Sequence, residues 1–196
     1  MKSKFLTGIA ATAMLFTVLA LPLFSEDEGS DKGGDAAADD PMKPGPEHAA
    51  LAKLAGKWDV ASKFYDMEGK ATDSKGSAEF KVIFDGRYVQ QDYKGEMEGT
   101  TFTGLEIIGF DRVSKKYTAH WIDSMSTGAV WLTGTSKDAG KTIEFTGKMS
   151  DPSSGGEIES RWVHTHKGDD SFVFEMFLKL GDKEVKFMEL TYTRKK

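Results

Sequence analysis

Between Trp58 and Arg194 the chain breaks into short runs of β-branched and aromatic residues, with a turn signal every 8 to 14 residues. Ten such runs are read near 57–66, 76–84, 87–94, 100–110, 115–123, 128–136, 141–148, 157–166, 171–180 and 183–194. No helical periodicity intervenes, so consecutive strands must pair as antiparallel hairpins. Asp85-Gly86 fits a type I′ turn and Gly181-Asp182 a type II′ turn. A meander of ten strands is expected to close on itself, because closure removes exposed edges. The fold class expected is therefore all-β, a closed antiparallel meander barrel of about ten strands with a short N-terminal helix.

The helix is expected in "GPEHAALAKLAGKW", where Pro46 suits the first turn. His48, Leu51, Leu54 and Ala55 form one apolar stripe, and Gly56 stands where a left-handed C-cap would end it.

The residues before the helix read differently. Lys2 and Lys4 precede the apolar run "FLTGIAATAMLFTVLALPLF", then Ser25 and "EDEG" follow. This is the grammar of a secretory signal peptide over 1–25, with an uncleaved membrane anchor as the rival and the only route to a membrane. Residues 26–48 carry eight acids and two lysines. Residues 26–45 are thus expected to be a disordered acidic linker, and 46–196 the barrel domain. The location implied is outside the cytoplasm, periplasmic or secreted.

Composition removes several function classes. The chain has no cysteine, so thiol catalysis, iron–sulfur clusters, disulfides and bacterial lipid attachment are excluded. The net charge of -5 resides in the linker, and no arginine cluster or basic stripe in the barrel suggests nucleic acid. There is no GxSxG elbow and no glycine-rich phosphate cradle.

Phasing side chains outward from the two tight turns gives a candidate lining. Phe80, Val82 and Phe84 must face inward, and they take Arg87, Gln91 and Tyr93 with them. Phe172, Phe174, Met176 and Leu178 likewise bring Val185, Phe187, Glu189 and Thr191 inside. Arg87, Gln91, Tyr93, Trp121 and Glu189 are the candidate ligand-binding residues, with an internal Arg87–Glu189 bridge or an end-of-barrel plug as the plainer alternatives. Trp121 with Asp123 reads either as an aromatic wall with a carboxylate at the mouth, or as core plus a cap on "SMST". His164 and His166 on one strand face, with His120 on another strand, form a lower-ranked zinc candidate. No cofactor is otherwise expected.

A short helix, then Gly56-x-Trp58 opening the first strand of an antiparallel barrel, resembles the lipocalin and fatty-acid-binding group, the calycins. In that group the tryptophan plugs one barrel end and a basic residue near the end of the last strand packs across it. The resemblance implies that role for Gly56, Trp58 and Arg194. The phasing above, however, puts Arg194 on the outer face. The order "LAGKW", "FDGRYVQQDYKG", "GTTFTGLEIIGFDRVSKKYTAHWIDS", "WLTGT" and "YTR" is also similar to an uncharacterised bacterial family, domain of unknown function 1579. That likeness implies a barrel, often exported, and carries no catalytic residue. The leading functional expectation is non-catalytic binding of a small apolar or amphipathic molecule. An enzyme or metalloprotein on the same barrel, and a structural envelope domain with a filled barrel, are the alternatives.

Overall fold

The computed structural model describes residues 40–97 and 99–196. The segments read as signal peptide (1–25) and most of the acidic linker lie outside these residues. Helix α1 (Pro46–Ala52) is followed by strands β1 (Gly56–Tyr65), β2 (Ala71–Ile83), β3 (Tyr88–Met97), β4 (Thr100–Asp111) and β5 (Lys116–Asp123). The second half supplies β6 (Val130–Thr135), β7 (Thr142–Asp151), β8 (Gly156–His166), β9 (Ser171–Leu180) and β10 (Lys183–Arg194). Every strand pairs antiparallel with its chain neighbour, and β10 pairs with β1 to close a barrel. All ten expected strands form.

Alternation decides what faces in. Along β1, Trp58, Val60 and Ser62 are buried while their neighbours are exposed. Phe172, Phe174 and Met176 of β9 follow the same two-residue period. Val89 and Gln91 of β3 and Ile108 of β4 also join the interior.

The barrel has one closed end. Trp58 is 1% exposed, its indole N–H donates to the Leu54 carbonyl at 2.9 Å, and its ring packs edge-on against Phe80 and Phe172. Arg194 lies over the indole at 4.2 Å. Its guanidinium also donates to the carbonyls of Ala55 (2.7 Å), Lys53 (2.6 Å) and Asp169 (3.0 Å). One side chain thus satisfies helix-end carbonyls that have no partner within the helix. Gly56 leaves the space: its φ is +129°, and a Cβ there would meet Arg194 Nη1 at 2.7 Å.

The helix itself ends earlier than expected. Its C-cap is Lys53 in ordinary right-handed geometry, and tighter turns through Leu54 and Ala55 lead into β1. Gly56 is therefore not a left-handed cap but the first strand residue, kept bare for the arginine. His48, Leu51 and Leu54 are buried as the stripe requires.

Two placements read from the turns need correction. On β10, the register against β9 shifts between Lys186 and Met188, a bulge that leaves Phe187 unpaired. A bulge reverses the in/out sense of everything beyond it. Leu190 and Tyr192 are therefore the buried residues, and Arg194 reaches the plug. Glu189 is turned outward, where it accepts from Lys186 at 2.9 Å.

On the β2–β3 hairpin the predicted register holds, with Val82 opposite Val89 and Phe80 opposite Gln91. The turn, however, projects past the closed end. Phe84 is 68% exposed, and Arg87 donates to the carbonyls of Phe84 and Met42, both at 3.3 Å. The residues just before the helix also pack on the barrel. Arg112, 8% exposed, donates to the carbonyls of Asp40 (2.6 Å) and Lys43 (3.0 Å), so residues 40–45 are docked on the barrel.

The plug generates a stability prediction. Trp58→Ala is expected to cost about 3–5 kcal/mol, as for other large aromatic truncations. Arg194→Met is expected to cost about 1–2 kcal/mol through lost carbonyl donors. Urea unfolding followed by circular dichroism measures both, and an Arg194→Met midpoint equal to wild type would contradict the assigned role.

Candidate functional site

A cavity of ≈ 270 Å³ occupies the barrel on the side away from α1. Its mouth is framed by Met97, Met125, Met149, Phe187 and the Ser126–Gly128 turn. Its wall is aromatic, with Phe102, Trp121, Trp162 and Phe174, and its floor is Phe172 stacked on Tyr192 at 4.1 Å. Beneath that floor lies Trp58, 5.2 Å from Phe172 between ring centroids.

Local sequence explains two wall positions. Trp121 rests against Gly104, where a Cβ would lie 2.2 Å from the indole ring carbons. Tyr93 fits because Gly76 and Gly95 flank it, each with Cβ space already taken by the phenol at 2.7 and 2.6 Å. Asp123 accepts from the Trp121 indole N–H (2.8 Å) and from the backbone N–H groups of Met125 and Ser126 (both 2.8 Å). It therefore orients the wall and caps the mouth turn together.

Polar groups are few and deep. Gln91 donates to the Tyr192 hydroxyl at 2.9 Å, and the hydroxyls of Tyr93 and Ser62 lie 3.3 Å apart. Two groups are different in kind. Glu106 on β4 and His164 on β8 are 3% and 4% exposed, and face each other across the barrel with Oε1 and Nε2 3.9 Å apart. That is too long for a hydrogen bond. Among the described residues neither atom has a partner.

Burial fixes their charge. Loss of water raises the Glu106 carboxyl to about 8. Burial lowers the His164 imidazole to about 3, with His166 nearby adding to the effect. The rings of Phe145 and Phe174, each 5.2 Å away, supply that apolar surround. At neutral pH the two are an uncharged acid and an uncharged base, not an ion pair. Among the described residues no lysine or arginine lines the cavity.

Of the candidates read from the sequence, the structure brings Gln91, Tyr93 and Trp121 into the cavity wall. It does not bring Arg87, held at the closed end, or Glu189, on the outer face. The three histidines do not converge: His120 packs outside on Trp131 at 4.2 Å, and His166 sits by Phe172 nearer the closed end. No cluster of three or more metal-ligating side chains exists among the described residues. Glu106 is absent from those candidates. Its signal lies in "TGLEIIGFD", where Glu106 shares its strand face with the apolar Ile108.

The acid makes stability pH-dependent in an unusual sense. Its folded-state pKa lies above the unfolded value of about 4.3, so the folded state holds the extra proton between the two. Stability from this group is complete at low pH and lost as pH rises through about 8. His164 has the opposite sense, gaining stability from about 3 up to about 6.5, and is silent above that. Between pH 6.5 and 8 the wild type is therefore expected to lose about 1–2 kcal/mol. Glu106→Gln is expected to be flat over that window. Urea midpoints at half-unit pH steps check this, and parallel curves for the two proteins would contradict the buried neutral acid.

No curated protein matches the chain. Its fold is similar to that of the S-type phycobiliprotein lyase CPES from Guillardia theta, with TM-score 0.53 and 9% identity, over 76% of this chain and 92% of that one. It is also similar to Rv2717c from M. tuberculosis, with TM-score 0.56 and 11% identity, over 79% and 100% of the two chains. At these identities the likeness speaks for the fold alone, the closed antiparallel barrel. The sequence match is more specific: a family model described as "Protein of unknown function (DUF1579)" covers residues 43–194, nearly the whole described barrel, and the chain belongs to that family.

Proposed function

We propose that this protein is a non-catalytic binder that holds one small apolar or amphipathic molecule inside its barrel. The observation that carries the reading is the ≈ 270 Å³ space, stoppered by Trp58 and open at the methionine-rimmed end. A barrel filled by its own side chains would leave no such volume, since protein interiors pack to crystal density. Aromatic walls with a few convergent polar groups are the usual make-up of a ligand pocket. Methionines at the rim suit a mouth that must adapt to its occupant.

The location we propose is exported, periplasmic or secreted, on the signal-peptide grammar of residues 1–25. Intact mass of protein recovered from its source is expected to lack about the first 25 residues. Full-length protein in the cytosolic fraction would contradict that location.

Binding is tested with the neutral fluorophore N-phenyl-1-naphthylamine. Saturable one-site emission enhancement is expected for the wild type. Gly104→Val is expected to weaken it about tenfold, because its side chain drives the Trp121 indole into the cavity. A folded wild type with no saturable signal would overturn the reading.

A further inference from the structure

The Glu106–His164 pair is a liability to the fold. Two buried polar atoms without partners cost stability, and replacing both by apolar groups of similar shape would relieve it. Their position at the cavity wall gives the cost a purpose. Both residues line the cavity amid aromatic and aliphatic surface, and their facing Oε1 and Nε2 atoms are buried without a partner, so a ligand's polar head beside them would supply one.

The charge balance narrows the occupant. No cation among the described residues lines the cavity, and the carboxylate near the mouth, Asp123, is committed to Trp121 and the turn. An anionic head drawn to this depth would be stranded in apolar surroundings, which is far more costly than burying a neutral group. A cationic head would have to lose its water too, and would face a carboxyl that burial holds in its protonated form, so both partners of the ion pair would have to be charged inside an apolar cavity. A hydroxyl has neither problem. A single oxygen placed beside two atoms 3.9 Å apart can lie at ordinary hydrogen-bond length from both. It accepts a hydrogen bond from the acid's O–H and donates its own O–H to the imidazole nitrogen.

We propose that the ligand is an uncharged molecule, apolar over most of its length, with one hydroxyl-type head seated between Glu106 and His164. This rests on the binding reading above and adds the chemical class. The apolar body lies along Trp121, Trp162 and Phe174 toward the methionine rim.

The experiment is competition against N-phenyl-1-naphthylamine at pH 7 by three probes of one chain length: 1-decanol, decanoate and decylammonium. Decanol is expected to displace the fluorophore at concentrations at least about tenfold lower than either charged probe, an unpaired buried charge being the larger penalty. Glu106→Leu is expected to erase that advantage, read as the ratio of decanol to decanoate displacing concentrations within the variant itself. Glu106→Gln, which retains an uncharged donor and acceptor, is expected to preserve it.

Decanoate binding as tightly as decanol would overturn the proposal, as would decylammonium binding more tightly. An undiminished decanol advantage in Glu106→Leu would overturn it too. In each of these cases the fluorophore still binds and the container reading survives. Failure of the fluorophore to bind folded wild type removes both.

Discussion

The seam between the first and last strands is the constraint on which everything else depends. Trp58 pairs with Arg194 and the register runs on to Phe64 opposite Met188. Only this pairing turns ten hairpin-linked strands into a cylinder and places the guanidinium over the indole. The bulge at Phe187 sets its phase. Without it the face carrying Met188, Leu190, Tyr192 and Arg194 would point outward, and the floor formed by Phe172 and Tyr192 would not exist. One unpaired residue therefore decides both the stopper and the base of the cavity. It also places Phe187 at the mouth, half in solvent and half against the opening.

Inside the cylinder charge is absent where it would be expensive. The lysines, arginines and carboxylates of the strands form an outer lattice, such as Lys81 with Asp92 and Arg161 with Glu184. Exposed pairs of this kind contribute little to stability. The interior relies on apolar burial and on a handful of neutral hydrogen bonds among Gln91, Tyr192, Tyr93 and Ser62. Against that background Glu106 and His164 are exceptions to internal consistency, and such exceptions are where function is expected to be stored. Glu106, whose contribution to stability is lost as pH rises through about 8, is one of the two groups assigned to the ligand's head.

Much of this is legible in the sequence, for identifiable reasons. Turn residues at regular spacing mark all ten strands, and the Asp85-Gly86 turn sets the β2–β3 register, because a tight hairpin leaves little freedom in pairing. Gln91 and Tyr93 follow from that register, and Trp121 from its place on an aromatic strand face. The failures share a cause: local phasing knows nothing of where the cylinder stops or where a strand slips. Arg87 is phased correctly but lies beyond the closed end. Glu189 is phased from the Gly181-Asp182 turn across a bulge that no residue type announces. The resemblance points to Arg194 as part of the plug and so conflicts with the phasing, and the conflict is itself the trace of the bulge. The pairing of Glu106 with His164 escapes because its meaning lies in a contact across the barrel between β4 and β8, which no pattern along the chain encodes.

The central claim is that the barrel is a container with an occupant. Native mass spectrometry of protein purified from its own source, under conditions gentle enough to keep the fold, tests it most directly. The account predicts a single additional mass, one molecule per chain, released on denaturation and lacking ionisable groups. A protein that flies at its bare mass from every such preparation, with the barrel intact, would contradict it.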